Sequence, residues 1–323
     1  MQNVVVIGGG TGTFVVLSGL KDYPIHISAI VTIMDSGGST GRLRDQYGVV
    51  PPGDLRQCLV ALSDAPDLWR RLFLYRFEKG DFKGHNFGNI LLTALEQIEP
   101  DYQKVIDTAE YILQTKGDVI PVTFDKVHLC AQYEDGDVLE TEELIDTAFD
   151  KKSRIKKTYL KPRAHANKNA LKAIRTAHYI ILGPGDVYTS LVPNLIVGGI
   201  KEEIVKSRAK IIYIVNLMTK RGQTTNFTAS EHVRALEEYL GRPVDVIIVN
   251  NTKIPKNAQG YYEEYGEKIV EDDLIQQNNT RIIKGDVIST VSIKKSLADQ
   301  VARSLQRHDP QKLAQILFDV VNS

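Results

Sequence analysis

Two clusters of glycines and hydroxyls in this chain are spaced to hold a phosphate. Gly8-Gly9-Gly10-Thr11-Gly12 follows the apolar run Asn3–Ile7, and Asp35-Ser36-Gly37-Gly38-Ser39-Thr40-Gly41-Arg42 follows the apolar run His26–Ile33. Glycines let a backbone turn sharply and approach a ligand closely, and the helix behind such a turn aims unpaired N–H groups at an anion. The second cluster adds hydroxyls, with Arg42 or Arg44 as a charge partner. Asp35 stands where a Rossmann protein grips a ribose, and it could instead serve a metal ion. A plain tight turn and a mobile surface loop are the bland alternatives; two such loops after adjacent strands are far more specific than either alone. Position 13 is Thr where a dinucleotide fingerprint needs a third glycine, and no Gly-Lys-Ser/Thr follows, so NAD and a P-loop are both set aside.

Three further segments have similar character. Val50-Pro51-Pro52-Gly53-Asp54-Leu55-Arg56 reads as a helix start, where Asp54 could be the N-cap or could hold Mg²⁺ through oxygen. Gly84-His85-Asn86-Phe87-Gly88-Asn89 opens an amphipathic stretch, with His85 and Asn89 on one face as donors for a phosphate or hydroxyl. Gly183-Pro184-Gly185-Asp186 follows a buried run and leads into Thr189 and Ser190. The loops Asn216–Thr219, Gly222–Thr225 and Asn250-Asn251-Thr252 join the site or are ordinary polar turns. His26 and His178 read as structural. No nucleophile elbow and no zinc-spaced His/Cys cluster occurs, and nothing nominates a covalent nucleophile.

The elements that must position these loops alternate. Asn3–Ile7, His26–Ile33, Tyr179–Leu182, Ile211–Val215, Asp245–Val249 and Thr280–Val287 read as strands. Between and after them Thr13–Leu20, stretches of 53–98, Asp101–Gln114, Asn167–Thr176, Val197–Ser207, Ser230–Leu240, Leu297–Leu305 and Pro310–Val321 carry helical period. Residues 116–162 differ: Val119–Val122, His128–Tyr133 and Arg154–Leu160 look like short strands of an antiparallel insertion or edge extension, with a hairpin turn at Glu134–Asp137. The expected architecture is α/β: a three-layer, doubly wound, mostly parallel Rossmann-like sheet with a small antiparallel insertion, in one domain spanning 1–323. Trp69 lies on a helix face and is expected in the core.

Composition bounds the function. Hydrophobic residues are 42% and charged residues 25% of 323, enough to close a large core. Lys+Arg and Asp+Glu are 40 each, so there is no basic field for nucleic acid or an anionic membrane surface. Lys151–Lys157 reads as a solvated edge. Cys58 and Cys130 belong to no C-x-x-C pair and are expected to be reduced core thiols. The start has no basic segment and no long apolar one, and Gly and Pro break the apolar stretch Tyr179–Ile200, so a cytoplasmic protein with no membrane span is expected. A homodimer is compatible with this, and no protein partner is named by the sequence.

Taken in order, Gly8–Gly12, Asp35–Arg42, Pro51–Arg56, Gly84–Asn89, Gly183–Ser190, Asn216–Thr219 and Ala229–His232 resemble the motifs of the YvcK/CofD-like family. The resemblance covers nearly the whole chain and is least distinctive after about 255. The family joins 2-phospho-L-lactate transferases to gluconeogenesis factors. The resemblance implies, for the first branch, Mg²⁺-dependent transfer of a phospholactyl group from a guanosine-diphosphate donor to a deazaflavin hydroxyl. For the second it implies binding of a UDP-sugar such as UDP-N-acetylglucosamine, in support of cell shape and wall synthesis on gluconeogenic carbon. Gly84–Leu95 and Asn216–Val233 look closer to the second branch; Asn86-Phe87 departs mildly from an expected Ser-Leu pair. Carried over, Gly9, Gly10, Thr11 and Gly12 would meet the diphosphate with Asn216 and Thr219 nearby. Asp35, Ser36, Gly37, Gly38, Ser39, Arg42, Asn86, Gly183 and Gly185 complete the expected ligand-binding set. Asp35 and Asp54 would be Mg²⁺ ligands, and Asp54, His85 and Asn89 the catalytic residues of an enzyme.

Overall fold

A computed structural model describes residues 1–253, 266–276, 280–290 and 306–322. β1 (Gln2–Gly8), α1 (Thr11–Leu20) and β2 (Ile25–Val31) form the expected opening unit. The apolar runs of β1 and β2 are buried on both faces, as strands in the middle of a helix-covered sheet must be. Next come α2 (Gly38–Tyr47), α3 (Gly53–Leu62), α4 (Asp67–Leu74), α5 (Phe87–Ile98) and α6 (Tyr102–Leu113). They lead to β3 (Asp118–Pro121). A small three-stranded antiparallel sheet is built by β4 (His128–Tyr133), β5 (Val138–Glu140) and β6 (Ile155–Lys161), with α7 (Glu142–Asp146) between the last two.

The chain then returns to the main sheet through α8 (Lys168–Thr176), β7 (Tyr179–Leu182), one π-helical turn at Val187–Leu191, and α9 (Val192–Leu195). α10 (Ile200–Lys206), β8 (Lys210–Ile214), α11 (Ala229–Leu240), β9 (Val246–Asn250), β10 (Arg281–Gly285) and α12 (Pro310–Val321) complete it.

The main sheet is seven-stranded, in the order β10-β9-β8-β7-β1-β2-β3, and every pair in it is parallel. The winding reverses at β1, whose neighbours are β2 on one side and β7 on the other. Val6 stands opposite Ala29 and Ile181, so the carboxyl ends of β1 and β7 finish side by side. That is the switch point at which an open α/β sheet leaves a crevice for ligand.

Several expectations need correction. Val119–Val122 was placed among the antiparallel strands, but β3 pairs parallel with β2 and is the edge of the main sheet; only the strands after it form the antiparallel insertion. Residues from Gly38 onward are helix α2, not loop: Gly48, at φ +64°, stops that helix. Trp69 is not core. It is 43% exposed and Leu68 on the same helix is 72% exposed, while Phe73 alone is fully buried in α4. Asp54 is not an N-cap: Pro52 occupies that position and Asp54 lies in the first turn of α3. The stretch Leu297–Leu305 lies outside the described residues. Both cysteines are free and buried, as expected. No helix among the described residues is long and apolar enough to cross a membrane.

Candidate functional site

A cleft of about 280 Å³ opens over the carboxyl ends of the central strands. One wall is backbone. Gly10 precedes α1 and supplies no capping side chain, so the first N–H groups of the helix face the cleft without a local acceptor from the cap residue. The glycines here are demanded by proximity. A Cβ on Gly12 would overlap the carbonyl oxygen of Pro184, and one on Gly10 would overlap the Gln57 and Asp54 side chains. The β7 exit turns at Gly183, φ +79°, and the Gly185 N–H donates to Asn216 Oδ1 at 3.2 Å. Behind this wall Asn194, fully buried, donates its amide to Gly8 O at 3.2 Å and to Ser190 O at 2.8 Å, which ties the two strand exits together.

A polar network supports the second glycine loop. Asp35 Oδ1 accepts from the Gly37 N–H at 3.0 Å, and its other oxygen lies so near Gly53 that a Cβ there would overlap it. Asn89 is buried. Its amide nitrogen donates to Ser39 Oγ and Thr40 Oγ1 at 3.4 and 3.3 Å, and its oxygen accepts from Arg56 Nε at 2.8 Å. Asn86 caps α5 by accepting from the Asn89 N–H. His85 precedes that helix and meets Ser39 Oγ through Nδ1 at 3.2 Å. Burial, then the cations Arg42 and Arg76, lower its pKa, so the ring is neutral at pH 7.

The opposite wall carries charge. Glu142 and Asp146, one turn apart on α7, reach the cleft from the antiparallel insertion, and Glu267 comes from beyond α11. Thr141, a β-branched residue held at φ +104°, aims the chain into α7. Lys220 Nζ lies 3.2 Å from Asp146 Oδ1 and 3.9 Å from Asp186 Oδ2. Burial alone would lower the Lys220 pKa, but Asp186, Asp146 and Glu267 reverse this and hold it above the ordinary lysine range. Burial, with the like charges of Asp35, Asp146 and Asp54, pushes Glu142 well above the usual carboxylate range.

Of the expected residues, Gly10, Thr11, Gly12, Asp35, Gly37, Ser39, Asp54, Asn89, Gly185, Asn216 and Thr219 line the cleft. Gly9, Ser36, Gly38, Arg42, His85, Asn86 and Gly183 do not. Arg42 turns toward Lys83 O at 3.4 Å, and Ser36 Oγ accepts from the Glu143 N–H at 2.8 Å, binding the loop to α7. His85 and Asn89 therefore do not act as a facing pair: Asn89 reaches the cleft with its amide already bonded, and His85 stands behind Ser39. The sequence reading missed Gln57, Arg76, Glu142, Asp146, Phe149, Lys220, Glu267 and the segment Gln306–His308, all of which line the cleft. Lys220 directly follows an expected loop, and Gln57 lies three residues beyond Asp54 on α3. Glu142 and Asp146 share a helix face, but nothing in their local sequence distinguishes them from a solvated one.

Six lining carboxylates, those of Asp35, Asp54, Glu142, Asp146, Asp186 and Glu267, face four cations, Arg56, Arg76, Lys220 and Arg307. Burial and crowding raise the pKa of Glu142, Asp186 and Glu267, so this wall already resists further negative charge, and a diphosphate would add to it. The donors near the glycine loops are all oxygen, which suits Mg²⁺. No group of three or more His, Cys, Asp or Glu among the described residues is arranged to hold a metal by itself. Two carboxylates that share an ion with water and ligand phosphates fit that finding, since Mg²⁺ rarely takes an all-protein cage.

Known proteins resemble this chain over most of its length. Residues 4–288 match the family model described as 2-phospho-L-lactate transferase CofD. The chain is 38% identical to the gluconeogenesis factor of Bacillus subtilis (strain 168), across 98% of each protein. It is 41% identical to the gluconeogenesis factor of Halalkalibacterium halodurans, across 84% of this chain and 85% of that one. A crystal structure of a UPF0052-family protein from Bacillus halodurans superposes with a TM-score of 0.88 at 36% identity, covering 98% of this chain and 99% of that one.

Proposed function

The chain belongs to the CofD family, and from that membership we propose that it is a cytoplasmic binding protein for a nucleoside-diphosphate sugar of the UDP-N-acetylglucosamine type. It would serve as a gluconeogenesis factor in cell shape and wall synthesis. The observation that carries the reading is the pair of strand exits at the sheet's switch point. There Gly12 leaves no room for a side chain against Pro184, and the N-terminus of α1 faces the cleft. Phosphate oxygens would accept from these N–H groups, as anions do at helix N-termini.

Asp35 and Asp54 fit as holders of Mg²⁺, which would supply positive charge to offset the acidic wall. Arg56 and the Asn89 network fix the second glycine loop, so little has to move when ligand arrives. Calorimetry with UDP-N-acetylglucosamine, with and without Mg²⁺, tests the reading. Metal-dependent binding is expected; folded protein that gives no heat at about millimolar ligand, the weak end of specific affinity, removes it.

The transferase description of the family model favours one second reading, transfer of a phospholactyl group to a deazaflavin hydroxyl. In that case the cleft aligns the acceptor hydroxyl with the donor phosphate and neutralises developing charge, with no covalent enzyme intermediate. GMP release on mixing donor with deazaflavin acceptor would establish it.

A further inference from the structure

Phe149 lies just beyond α7, on the charged side of the cleft, and is the one Phe, Tyr or Trp among the described residues that line it. The other apolar side chains of the lining, Val15, Pro184, Leu217 and Met218, are buried. Phe149 is half-buried, so it offers the cleft apolar surface that they do not. Its neighbours fix its place. Ala148 is buried, and its carbonyl packs so close to Gly222 that a Cβ there would overlap it, which holds the insertion against the Lys220 loop. The Phe149 N–H donates back to Thr147 O at 2.8 Å. Lys220 Nζ lies over the ring, 5.8 Å from its centroid, and is itself held by Asp146 at 3.2 Å. One face of the ring thus rests on a buried ammonium, and the other is left to the cleft. A wall of carboxylates has no need of an exposed hydrocarbon ring, whereas a flat ligand would cover it favourably.

We propose that Phe149 is the base-binding residue of the cleft: a nucleobase stacks on the open face of its ring while the phosphates lie on the glycine wall. The assignment rests on the nucleotide reading of the cleft. The order of contacts along the wall suits it. Gly12 abuts Pro184, Asp186 follows that turn, Lys220 Nζ is 3.9 Å from Asp186, and the ring lies beyond Lys220. The Asp186–Lys220 pair therefore stands between the ring and the start of α1 in that series. Every base has a π face, so stacking accepts any of them. Phe149 accordingly selects nucleotides over sugar phosphates without choosing among bases, and it gives the antiparallel insertion a part in recognition.

The test uses the full-length protein with Mg²⁺ and compares UDP with 5,6-dihydro-UDP by calorimetry. The reduced base keeps the charge and the hydrogen-bonding edge of uracil but is no longer a flat π system. Wild type is expected to bind it about tenfold more weakly than UDP, the scale of one base stacked on one ring. Phe149→Leu keeps apolar bulk and removes the ring plane. It should melt near wild type, bind UDP about tenfold more weakly and bind the two ligands alike. Phe149→Tyr keeps the ring and should keep the discrimination. A ring that only shields Lys220 would leave the ratio of the two ligands the same in Phe149→Leu as in wild type. That result, or a wild type that binds both ligands equally, overturns the assignment while the nucleotide reading stands. If wild type binds neither ligand, the nucleotide reading falls and this assignment with it.

Discussion

Where the cleft is bounded by the exits of β1 and β7, a ligand would meet backbone: glycines without side chains and the start of α1. Where it is bounded by α7 and the Lys220 loop, a ligand would meet charge: Asp146, Asp186 and Glu267 around one buried ammonium, with Glu142 also lining the cleft. The first wall is defined by geometry, since Gly12 has no room for a Cβ. The second is defined by electrostatics, since burial and crowding push Glu142, Asp186 and Glu267 above their usual titration range. A backbone wall binds an anion at any moderate pH and tolerates no added atom. A charged wall tolerates atoms and responds to pH and to cations.

The largest effect should come from adding one atom to the backbone wall. Gly12→Ala puts a Cβ into the Pro184 carbonyl, a backbone group that cannot swing aside as a side chain can. Overpacking of this kind typically costs about 1–3 kcal/mol. The strand exits should separate, nucleotide binding should be lost, and a thermal melt should shift down by several degrees. Gly136→Ala is a poor control, because Gly136 has φ +95° and is strained for any side chain. Gly198→Ala is a better one: its nearest atom would be Ala164 O at 3.0 Å, and it does not line the cleft. Equal binding by Gly12→Ala and wild type would mean that the backbone wall is not where the ligand sits.

The same contrast explains what could be read from the sequence. Glycine loops after apolar runs are local patterns, and Gly10, Gly12, Asp35 and Gly185 were found from them. The doubly wound sheet was legible for the same reason, because each buried strand is a continuous apolar run. The charged wall is non-local. Glu142 and Lys220 become a site only when the antiparallel insertion folds back over the sheet, and neither has a distinctive neighbourhood. Val119–Val122 was misplaced because a short apolar run does not disclose whether its partner is parallel or antiparallel. Asp54 looked like a helix cap because Pro-Gly-Asp before an apolar stretch is a common helix start. His85 drew notice through flanking glycines, yet the chain uses it to hold Ser39.

A smaller effect separates the metal from the fold. Asp35→Asn keeps an oxygen that can accept from the Gly37 N–H, so the second glycine loop should stay in place and the melting temperature should barely move. What the substitution removes is a negative charge between the two walls. Nucleotide affinity should then lose its dependence on Mg²⁺ in a titration with and without the metal. A large fall in melting temperature would make Asp35 a structural residue, and unchanged metal dependence would place the ion elsewhere.

The smallest effect should belong to the charged wall alone. Burial raises Glu267 to about 7, with Lys220 opposing and Asp186 adding to the rise. In the unfolded chain a Glu titrates near 4.3. A carboxyl whose folded pKa is raised stabilises the fold fully below about pH 4, and that contribution is lost as pH climbs through about 7. Wild type should therefore melt progressively lower, relative to Glu267→Gln, between pH 5 and 8. Glu267 is partly exposed, so solvent screening limits the difference to a few degrees. Melting curves of the two proteins across that range measure it directly. Curves that stay parallel would show that Glu267 titrates as an ordinary surface carboxylate and that Lys220 neutralises only Asp146 and Asp186. Saturating nucleotide with Mg²⁺ adds a second reading. If the charged wall faces the ligand, the bound cation should hold Glu267 ionised and flatten the wild-type profile toward that of the variant.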